Sequence, residues 1–364
     1  CGGCSWQQVR YEAQLAEKQA RVEALFEKGV EPIIPAPDLF EYRNKMEFSF
    51  SQNKAGERFL GLIIAGSRGH VLNLEECHLV APWMSEALER VRAWWEQSGL
   101  LAYHGPSDSG SLRTLTLREG RRTGDRLAML TVSGNPDYAL SKAQLEAFAE
   151  AIGEGSLYLR LQQIAKGRET QWYEMHLSGP EHLTEELCGL HIPISPSAFF
   201  QPNTVTAERL YREVASKLSL SEEMTLYDLY CGIGLFGMVC APHVKRVVGL
   251  ELNPYAVFDG RAALELNGIS NMEIVQGDAN NLELEERPDV VIVDPPRAGL
   301  GPKAIATLLQ WRPKQLASIS CNPETQRADF DRLTEGGARI VSVAPLDQFP
   351  HTPHIENIVI AHFD

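Results

Sequence analysis

The chain has 364 residues, 44% of them hydrophobic, which is enough for two packed domains. Its net charge of −14 is opposite in sign to that of a simple nucleic-acid-binding protein. No apolar run reaches the about eighteen residues that a membrane-spanning helix needs, and the seven irregularly spaced cysteines exclude a disulfide framework. We therefore expect a cytoplasmic protein without a membrane partner.

The first feature of the chain is a pair of cysteines, Cys1 and Cys4, separated by two glycines that allow a tight turn. Two thiolates at this spacing can bind one metal centre, and Cys77 is a candidate third ligand. Together with the neighbouring His78, the same cysteines are also compatible with a zinc site. The chain does not begin with Met, so we expect a further segment to precede it.

A predicted helix at 7–28 and a proline-containing linker complete the first region, 1–37. The second region, 38–190, shows the alternation of apolar and polar residues that is typical of half-buried strands. Strands are predicted at 45–51, 59–64, 113–117, 126–132 and 156–161, and helices at 82–98 and 141–152. We expect this region to be a central α+β domain with an antiparallel sheet.

The third region, 191–364, alternates strands with helices. Strands are predicted at 226–230, 246–251, 272–277, 289–294, 316–320, 338–343 and 355–363, and helices at 203–218, 235–243, 254–267, 301–312 and 323–335. This pattern predicts an α/β fold with a doubly wound, Rossmann-like sheet. Sites in such sheets lie at the carboxyl ends of the strands, so polar residues at these ends are the candidates for function.

A glycine-rich turn follows the first of these strands. It contains Tyr230 and Gly232 and has the Gly-x-Gly-x-x-Gly spacing that lets the backbone approach a nucleotide. Glu251 ends the next strand, where a carboxylate can accept hydrogen bonds from ribose hydroxyls. Both NAD and S-adenosylmethionine fit this arrangement. Asp278 and Asp294 end two further strands, and an acidic ring repels a pyrophosphate but suits a cationic sulfonium, which favours S-adenosylmethionine.

Three apolar runs of this region each end in a reactive or polar residue: Asp294, Cys321 and Glu356, the last just inside its run. A cysteine in Ser-Cys-Asn-Pro, followed 35 residues later (356 − 321) by a carboxylate, is the pair that covalent catalysis needs. The region is therefore predicted to be an enzyme.

Five motifs, in this order along the chain, resemble those of the RNA uracil-5-methyltransferase family. They are Phe199-Phe-Gln-Pro-Asn203, Asp228-Leu-Tyr-Cys-Gly-Ile-Gly234, Asp294-Pro-Pro-Arg-Ala-Gly299, Ser320-Cys-Asn-Pro-Glu-Thr325 and Asp347-Gln-Phe-Pro-His-Thr-Pro-His-Ile-Glu356. The resemblance implies a class I, seven-stranded methyltransferase domain that uses S-adenosylmethionine. It further implies that the cofactor and substrate pockets are lined by Gln201, Tyr230, Glu251, Asp278 and Asp294.

The resemblance also implies a substrate and a second cofactor. The substrate would be RNA, with 23S ribosomal RNA expected ahead of tRNA, and the protein would act as a monomer on a uridine that has left its stack. Cys321 would add to C6 of the uracil, and Glu356 would remove the C5 proton after methyl transfer. Cys1, Cys4 and Cys77 resemble three ligands of the [4Fe–4S] cluster of the ribosomal branch, with the fourth expected upstream.

Besides NAD-dependent chemistry, two other functions are alternatives. RNA cytosine-5-methyltransferases commonly carry Asp-Pro-Pro-Cys, but residue 297 of this chain is Arg297. A non-catalytic RNA-binding protein with a relic fold would be expected to have lost Cys321 or Glu356, and both are present. The sequence therefore favours a uracil-5-methyltransferase.

Overall fold

The computed structural model describes residues 1–27, 29–164, 167, 169–279 and 287–363, so that the last residue of the helix predicted at 7–28 lies outside the described residues. The chain divides into two units. Unit 1 comprises Cys1–Cys4, Phe40–Glu185 and Ile194–Pro196, and unit 2 comprises Ser5–Leu39, Glu186–Pro193 and Ser197–Asp364. Two short strands, β8 (Leu183–Leu187) and β9 (Leu190–Ile194), lie where the chain passes between the units.

Unit 1 is built on a seven-stranded sheet in the order β3-β2-β1-β4-β5-β6-β7. Its strands are β1 (Lys45–Gln52), β2 (Arg58–Ile63), β3 (Val71–Asn73), β4 (Leu112–Glu119), β5 (Arg126–Ser133), β6 (Ser156–Gln163) and β7 (Gln171–Ser178). Two helices, α2 (Pro82–Ser98) and α3 (Lys142–Ile152), pack on one face. Alternate strand residues such as Phe48 and Leu115 form the core together with Trp95 of α2.

All five strands predicted for this region are present, and β3, β7 and β8 are additional. The expectation of an antiparallel sheet needs one correction, because β5 and β6 pair in parallel. The chain crosses from β5 to β6 through α3, and a crossover helix returns the chain in the same direction.

Unit 2 contains a second seven-stranded sheet, in the order β12-β11-β10-β13-β14-β16-β15. Its strands are β10 (Thr225–Leu229), β11 (Arg246–Glu251), β12 (Met272–Gln276), β13 (Val290–Val293), β14 (Gln315–Ser320), β15 (Ala338–Leu346) and β16 (Glu356–Phe363). Its helices are α1 (Tyr11–Phe26), α4 (Thr204–Lys217), α5 (Leu235–Cys240), α6 (Pro254–Leu266), α7 (Pro302–Trp311) and α8 (Pro323–Glu335).

The strand order of unit 2 determines where a site can form. β10 to β14 are parallel to one another, whereas β16 is antiparallel and lies between β14 and β15. The chain runs outward from β10 through β11 to β12, and then returns to the other side of β10 with β13. This reversal creates a topological switch point at the carboxyl ends of β10 and β13, where open α/β sheets bind ligands.

The N-terminal helix α1 belongs to unit 2. Val22 and Phe26 of α1 are buried in the same core as Phe330 of α8 and Val343 of β15. The segment after α1, predicted as a linker, continues the sheet: the N–H of Ile34 donates to the carbonyl of Pro345 at 2.9 Å. None of the described helices is long and apolar enough to cross a membrane.

Candidate active site

The glycine-rich turn between β10 and α5 adopts a left-handed backbone at three positions. Tyr230, Gly232 and Gly234 have φ values of 60°, 58° and 93°. At Gly234 a side chain would also meet Met272 and Ile274, since its first carbon would lie 2.8 and 2.9 Å from their atoms. Tyr230 has a conformation that non-glycine residues seldom adopt, and such strain is concentrated at functional sites.

Glu251 holds this turn from the neighbouring strand. One oxygen of its carboxylate accepts the N–H of Gly232 at 2.9 Å, and the other accepts the N–H of Asn253 at 2.7 Å. Asp228 is fully buried beneath the turn and accepts the N–H of Gly237 at 2.9 Å. Burial, together with the nearby carboxylates of Asp294 and Glu251, raises the pKa of Asp228 to about 8.

A cavity of about 440 Å³ lies at the switch point. The six residues that the sequence analysis assigned to the cofactor all line it: Gln201, Tyr230, Gly232, Glu251, Asp278 and Asp294. Phe199 and Leu252 line it too, and each is 65% exposed. Neither residue was predicted to line the cavity, although Phe199 begins a family motif and each lies within two positions of an assigned polar residue, Gln201 or Glu251.

Cys321 and Glu356 meet at the same edge of this sheet. β14 ends at Ser320, which pairs with Asn357 of the antiparallel strand β16. One further step in this register places Cys321 opposite Glu356. Cys321 is half-buried and Glu356 is only 4% exposed. The two side chains predicted to share one reaction are therefore neighbours.

Asp294 and Arg297 complete the charges around this pair. Burial raises the pKa of Glu356 well above its usual range, Asp294 raises it further, and Arg297 opposes both effects. Burial and Glu356 raise the pKa of Cys321, and Arg297 again lowers it. Burial raises the pKa of Asp294 to about 7. Arg297 is thus the cation that favours the ionised forms of the thiol and of the carboxyl group.

The loop that carries Arg297 is tied to the segment that follows Cys321. The carbonyl of Arg297 accepts hydrogen bonds from the Asn322 side-chain amide and from the Thr325 hydroxyl, both at 3.2 Å. Leu300 lies farther along the same loop, and its N–H donates to the carboxylate of Asp329 on α8 at 2.7 Å. These bonds tie the loop that contains Arg297 and Leu300 to α8 and to the residue before it, Asn322.

The predicted metal ligands Cys1, Cys4 and Cys77 all lie in unit 1. Cys4 and Cys77 are close enough to interact, since Cys77 contributes, after burial, to raising the pKa of Cys4. Cys1 is exposed. Across the described ranges, however, no three His, Cys, Asp or Glu side chains form a group that could hold a metal ion. The structure therefore does not support the iron–sulfur or zinc predictions.

The fold of unit 2, with its switch-point cavity, defines a class I methyltransferase. The tRNA (uracil-5-)-methyltransferase family model matches residues 181–362. An uncharacterized RNA methyltransferase of Protochlamydia amoebophila is 47% identical over 99% of this chain and 88% of that protein. Another, from Chlamydia trachomatis, is 34% identical over 99% of this chain and 96% of that protein.

One solved structure is similar over almost the whole chain. It is the tRNA (uracil-54, C5)-methyltransferase of Pyrococcus abyssi, solved in complex with S-adenosyl-L-homocysteine. It is 28% identical, covers 99% of this chain and 85% of its own, and gives a TM-score of 0.83. The chain belongs to the tRNA (uracil-5-)-methyltransferase family and is an RNA methyltransferase.

Proposed function

We propose that the chain transfers a methyl group from S-adenosylmethionine to C5 of a uridine in RNA, through a covalent bond between Cys321 and C6 of the uracil. The observation that carries this proposal is the register that places Cys321 opposite Glu356, beside the cavity bounded by Asp294. C5 of uracil is a weak nucleophile, so the reaction needs a thiolate to activate the ring and a base to remove the C5 proton.

The cavity supports S-adenosylmethionine as the methyl donor. Its acidic residues Glu251, Asp278 and Asp294 suit a cationic sulfonium and an ammonium group, and they would repel the pyrophosphate of NAD. The Pyrococcus abyssi relative holds the product of this donor, S-adenosyl-L-homocysteine. Bound in the cavity, S-adenosylmethionine would supply an electrophilic methyl group.

The residues of the chain then act in sequence. The Cys321 thiolate forms a bond to C6, which moves electron density to C5. C5 would take the methyl group as its bond to the sulfonium breaks and leaves the neutral thioether S-adenosyl-L-homocysteine. The Glu356 carboxylate would then remove the proton from C5. The electrons of that C–H bond restore the C5–C6 double bond, and the Cys321 thiolate leaves. Arg297 favours the ionised forms of both groups, because its cation lowers their pKa values.

The identity of the RNA is a separate part of the proposal. The resemblance of the motifs implies 23S ribosomal RNA ahead of tRNA, whereas the family description and the Pyrococcus abyssi relative name tRNA. In either RNA the target uridine has to leave its stack, which costs least in an unpaired loop. The iron–sulfur prediction is not part of this proposal, because no three ligands converge among the described residues.

The test is a methylation assay with labelled S-adenosylmethionine and two unmodified transcripts, a tRNA and a 23S ribosomal RNA fragment. Nuclease digestion and chromatography then identify the modified nucleoside. We expect 5-methyluridine from one transcript with the wild-type chain and no product with Cys321→Ala. Recovery of 5-methylcytidine instead would establish the alternative cytosine-directed reaction, and wild-type turnover by Cys321→Ala would contradict the proposed mechanism.

A further inference from the structure

One face of the N-terminal helix α1 carries three polar side chains directed at the segments that hold Cys321 and Glu356. They are Gln14, Lys18 and Arg21, and their spacing of four and three residues places them on the same side of the helix. Gln14 and Lys18 are 0% and 1% exposed, which is unusual for polar residues. Burying such groups is unfavourable unless they make specific bonds, so their partners indicate what the helix does.

Lys18 holds the start of the 347–355 loop, which joins β15 to β16 and ends just before Glu356. Its ammonium group lies 2.6 Å from the carboxylate of Asp347, which is 0% exposed, and it donates to the carbonyl of Phe349 at 3.2 Å. The residue before Asp347, Leu346, pairs with Glu356 in the sheet. The ion pair therefore fixes the loop next to the base.

Gln14 holds the middle of the loop. Its side-chain oxygen accepts the N–H of His351 at 2.8 Å, and its amide nitrogen lies 3.2 Å from Nδ1 of the His351 ring. The N–H of Trp6 donates to the carbonyl of His351 at 3.0 Å. His351 has a φ of 66°, a conformation that is costly for a residue with a side chain and persists only where its surroundings impose it.

Arg21 connects the two catalytic segments to each other. It donates to the carbonyl of Pro353, three residues before Glu356, at 3.3 Å. It also forms a two-pronged ion pair with Glu324, three residues after Cys321, at 2.8 Å for each contact. A planar guanidinium bound in this way constrains direction as well as distance. One side chain thus touches the segment of the nucleophile and the segment of the base.

We propose that Gln14, Lys18 and Arg21 form a positioning clamp that sets the geometry between Cys321 and Glu356, an inference that rests on the proposed function of those two residues. The three residues do not touch the substrate and are positioning residues. The clamp acts on the proton-removal step in particular, because two of its three members bind the 347–355 loop and the third binds both segments.

The experiment compares Gln14→Ala, Arg21→Ala and Arg21→Lys with a matched control, Arg212→Ala. Arg212 is 63% exposed and forms its ion pair with Glu208, four residues earlier on α4, and not with either segment. Arg21 is 40% exposed, so its variants test the clamp even if a buried variant fails to fold, which circular dichroism would show. Methyl transfer is measured together with the affinity for S-adenosyl-L-homocysteine and the fraction of protein trapped on RNA.

We expect kcat to fall about tenfold or more in Gln14→Ala and Arg21→Ala, because small displacements of reacting groups cost at least this much. The KM for RNA and the affinity for S-adenosyl-L-homocysteine should stay within about twofold, and the trapped fraction should rise. Arg21→Lys should retain part of the rate that Arg21→Ala loses. The control Arg212→Ala should keep the wild-type rate. Two results would overturn the clamp. One is a fall in kcat with an equal loss of affinity for S-adenosyl-L-homocysteine, and the other is an equal fall in the kcat of Arg212→Ala.

A second readout separates the clamp from the proposed function. The pH dependence of Cys321 alkylation, followed on the Cys321 peptide by mass spectrometry, needs neither RNA nor methyl donor. Burial and, after it, Glu356 raise the pKa of Cys321. Loosening the base in Gln14→Ala should weaken the effect of Glu356 and move the alkylation midpoint toward that of a free cysteine. An unchanged midpoint contradicts the clamp, whereas failure of the wild type to methylate any RNA contradicts the proposed function alone.

Discussion

The last residue pair between β14 and β16 is Ser320 with Asn357, and the next residues on the two segments are Cys321 and Glu356. The two strands bring together residues that are far apart in sequence, and the sheet rather than a flexible loop determines their separation. Groups that must act on adjacent atoms of one ring benefit from such a rigid support, because reaction rates are steeply sensitive to position.

Replacing Cys321 and replacing Glu356 should block the reaction at different steps. Glu356→Gln retains the thiol and permits methyl transfer, but it removes the base, so a protein–RNA adduct should accumulate. Cys321→Ala cannot form the adduct at all. A denaturing gel with unmodified RNA should show a slow-migrating band only for Glu356→Gln. The same band in Cys321→Ala would exclude Cys321 as the nucleophile.

Arg297 should determine the pH dependence of the reaction. Its cation lowers the pKa of both Cys321 and Glu356, and each of them must lose its proton to act. Arg297→Ala therefore raises both pKa values, so the rising limb of kcat/KM should move to higher pH by about one unit. Arg297→Lys keeps the charge and should move it less. If the rising limb of kcat/KM lies at the same pH in Arg297→Ala as in the wild type, this cation does not activate the pair.

Glu251 should contribute to cofactor binding through the turn that it holds. Glu251→Ala removes the acceptor for the N–H groups of Gly232 and Asn253, and it removes a carboxylate from the cavity. We expect the affinity for S-adenosyl-L-homocysteine, measured by calorimetry, to fall about tenfold or more. Glu265→Ala, an exposed position on α6, is the control. Equal affinities in the two variants, or tighter binding of NAD by the wild type, would contradict the cofactor assignment.

Replacing one or both members of the buried Lys18–Asp347 ion pair should show whether an unpaired buried charge or lost packing lowers the folding stability. Lys18→Met leaves the Asp347 carboxylate buried without its cation and should lower the free energy of unfolding by about 3–5 kcal/mol. Lys18→Met combined with Asp347→Leu removes both charges and should recover more than half of that loss. Urea denaturation measures both variants. A double variant as unstable as the single one would attribute the loss to packing instead.

The sequence predicts the strands of unit 2 well, because buried parallel strands are nearly continuous apolar runs that end in polar residues such as Asp294. It predicts less of unit 1. Strand β7 was not predicted, and it carries exposed residues such as Trp172 and Tyr173 that give no clear apolar and polar alternation. The parallel pairing of β5 with β6 depends on the path of α3, which periodicity does not report.

The role of α1 shows a second limit of sequence reasoning. The sequence predicts a helix at 7–28, but periodicity does not show that its buried stripe, with Val22 and Phe26, also contains Gln14 and Lys18. Their partners, His351 and Asp347, lie 337 and 329 residues away in the chain. A polar residue on a predicted helix is normally assigned to the solvent, and only the folded chain shows the partners that satisfy it.

A growing chain cannot assemble the Cys321–Glu356 pair until β16 has been synthesised. Strand β16, the last of the described strands to be made, inserts between β14 and β15, which already exist. Until it arrives, both of these strands have an unpaired edge, and such edges readily pair with other chains. Nascent chains are therefore open to such pairing in this interval, and a message truncated before Glu356 would leave β14 and β15 without the strand that joins them.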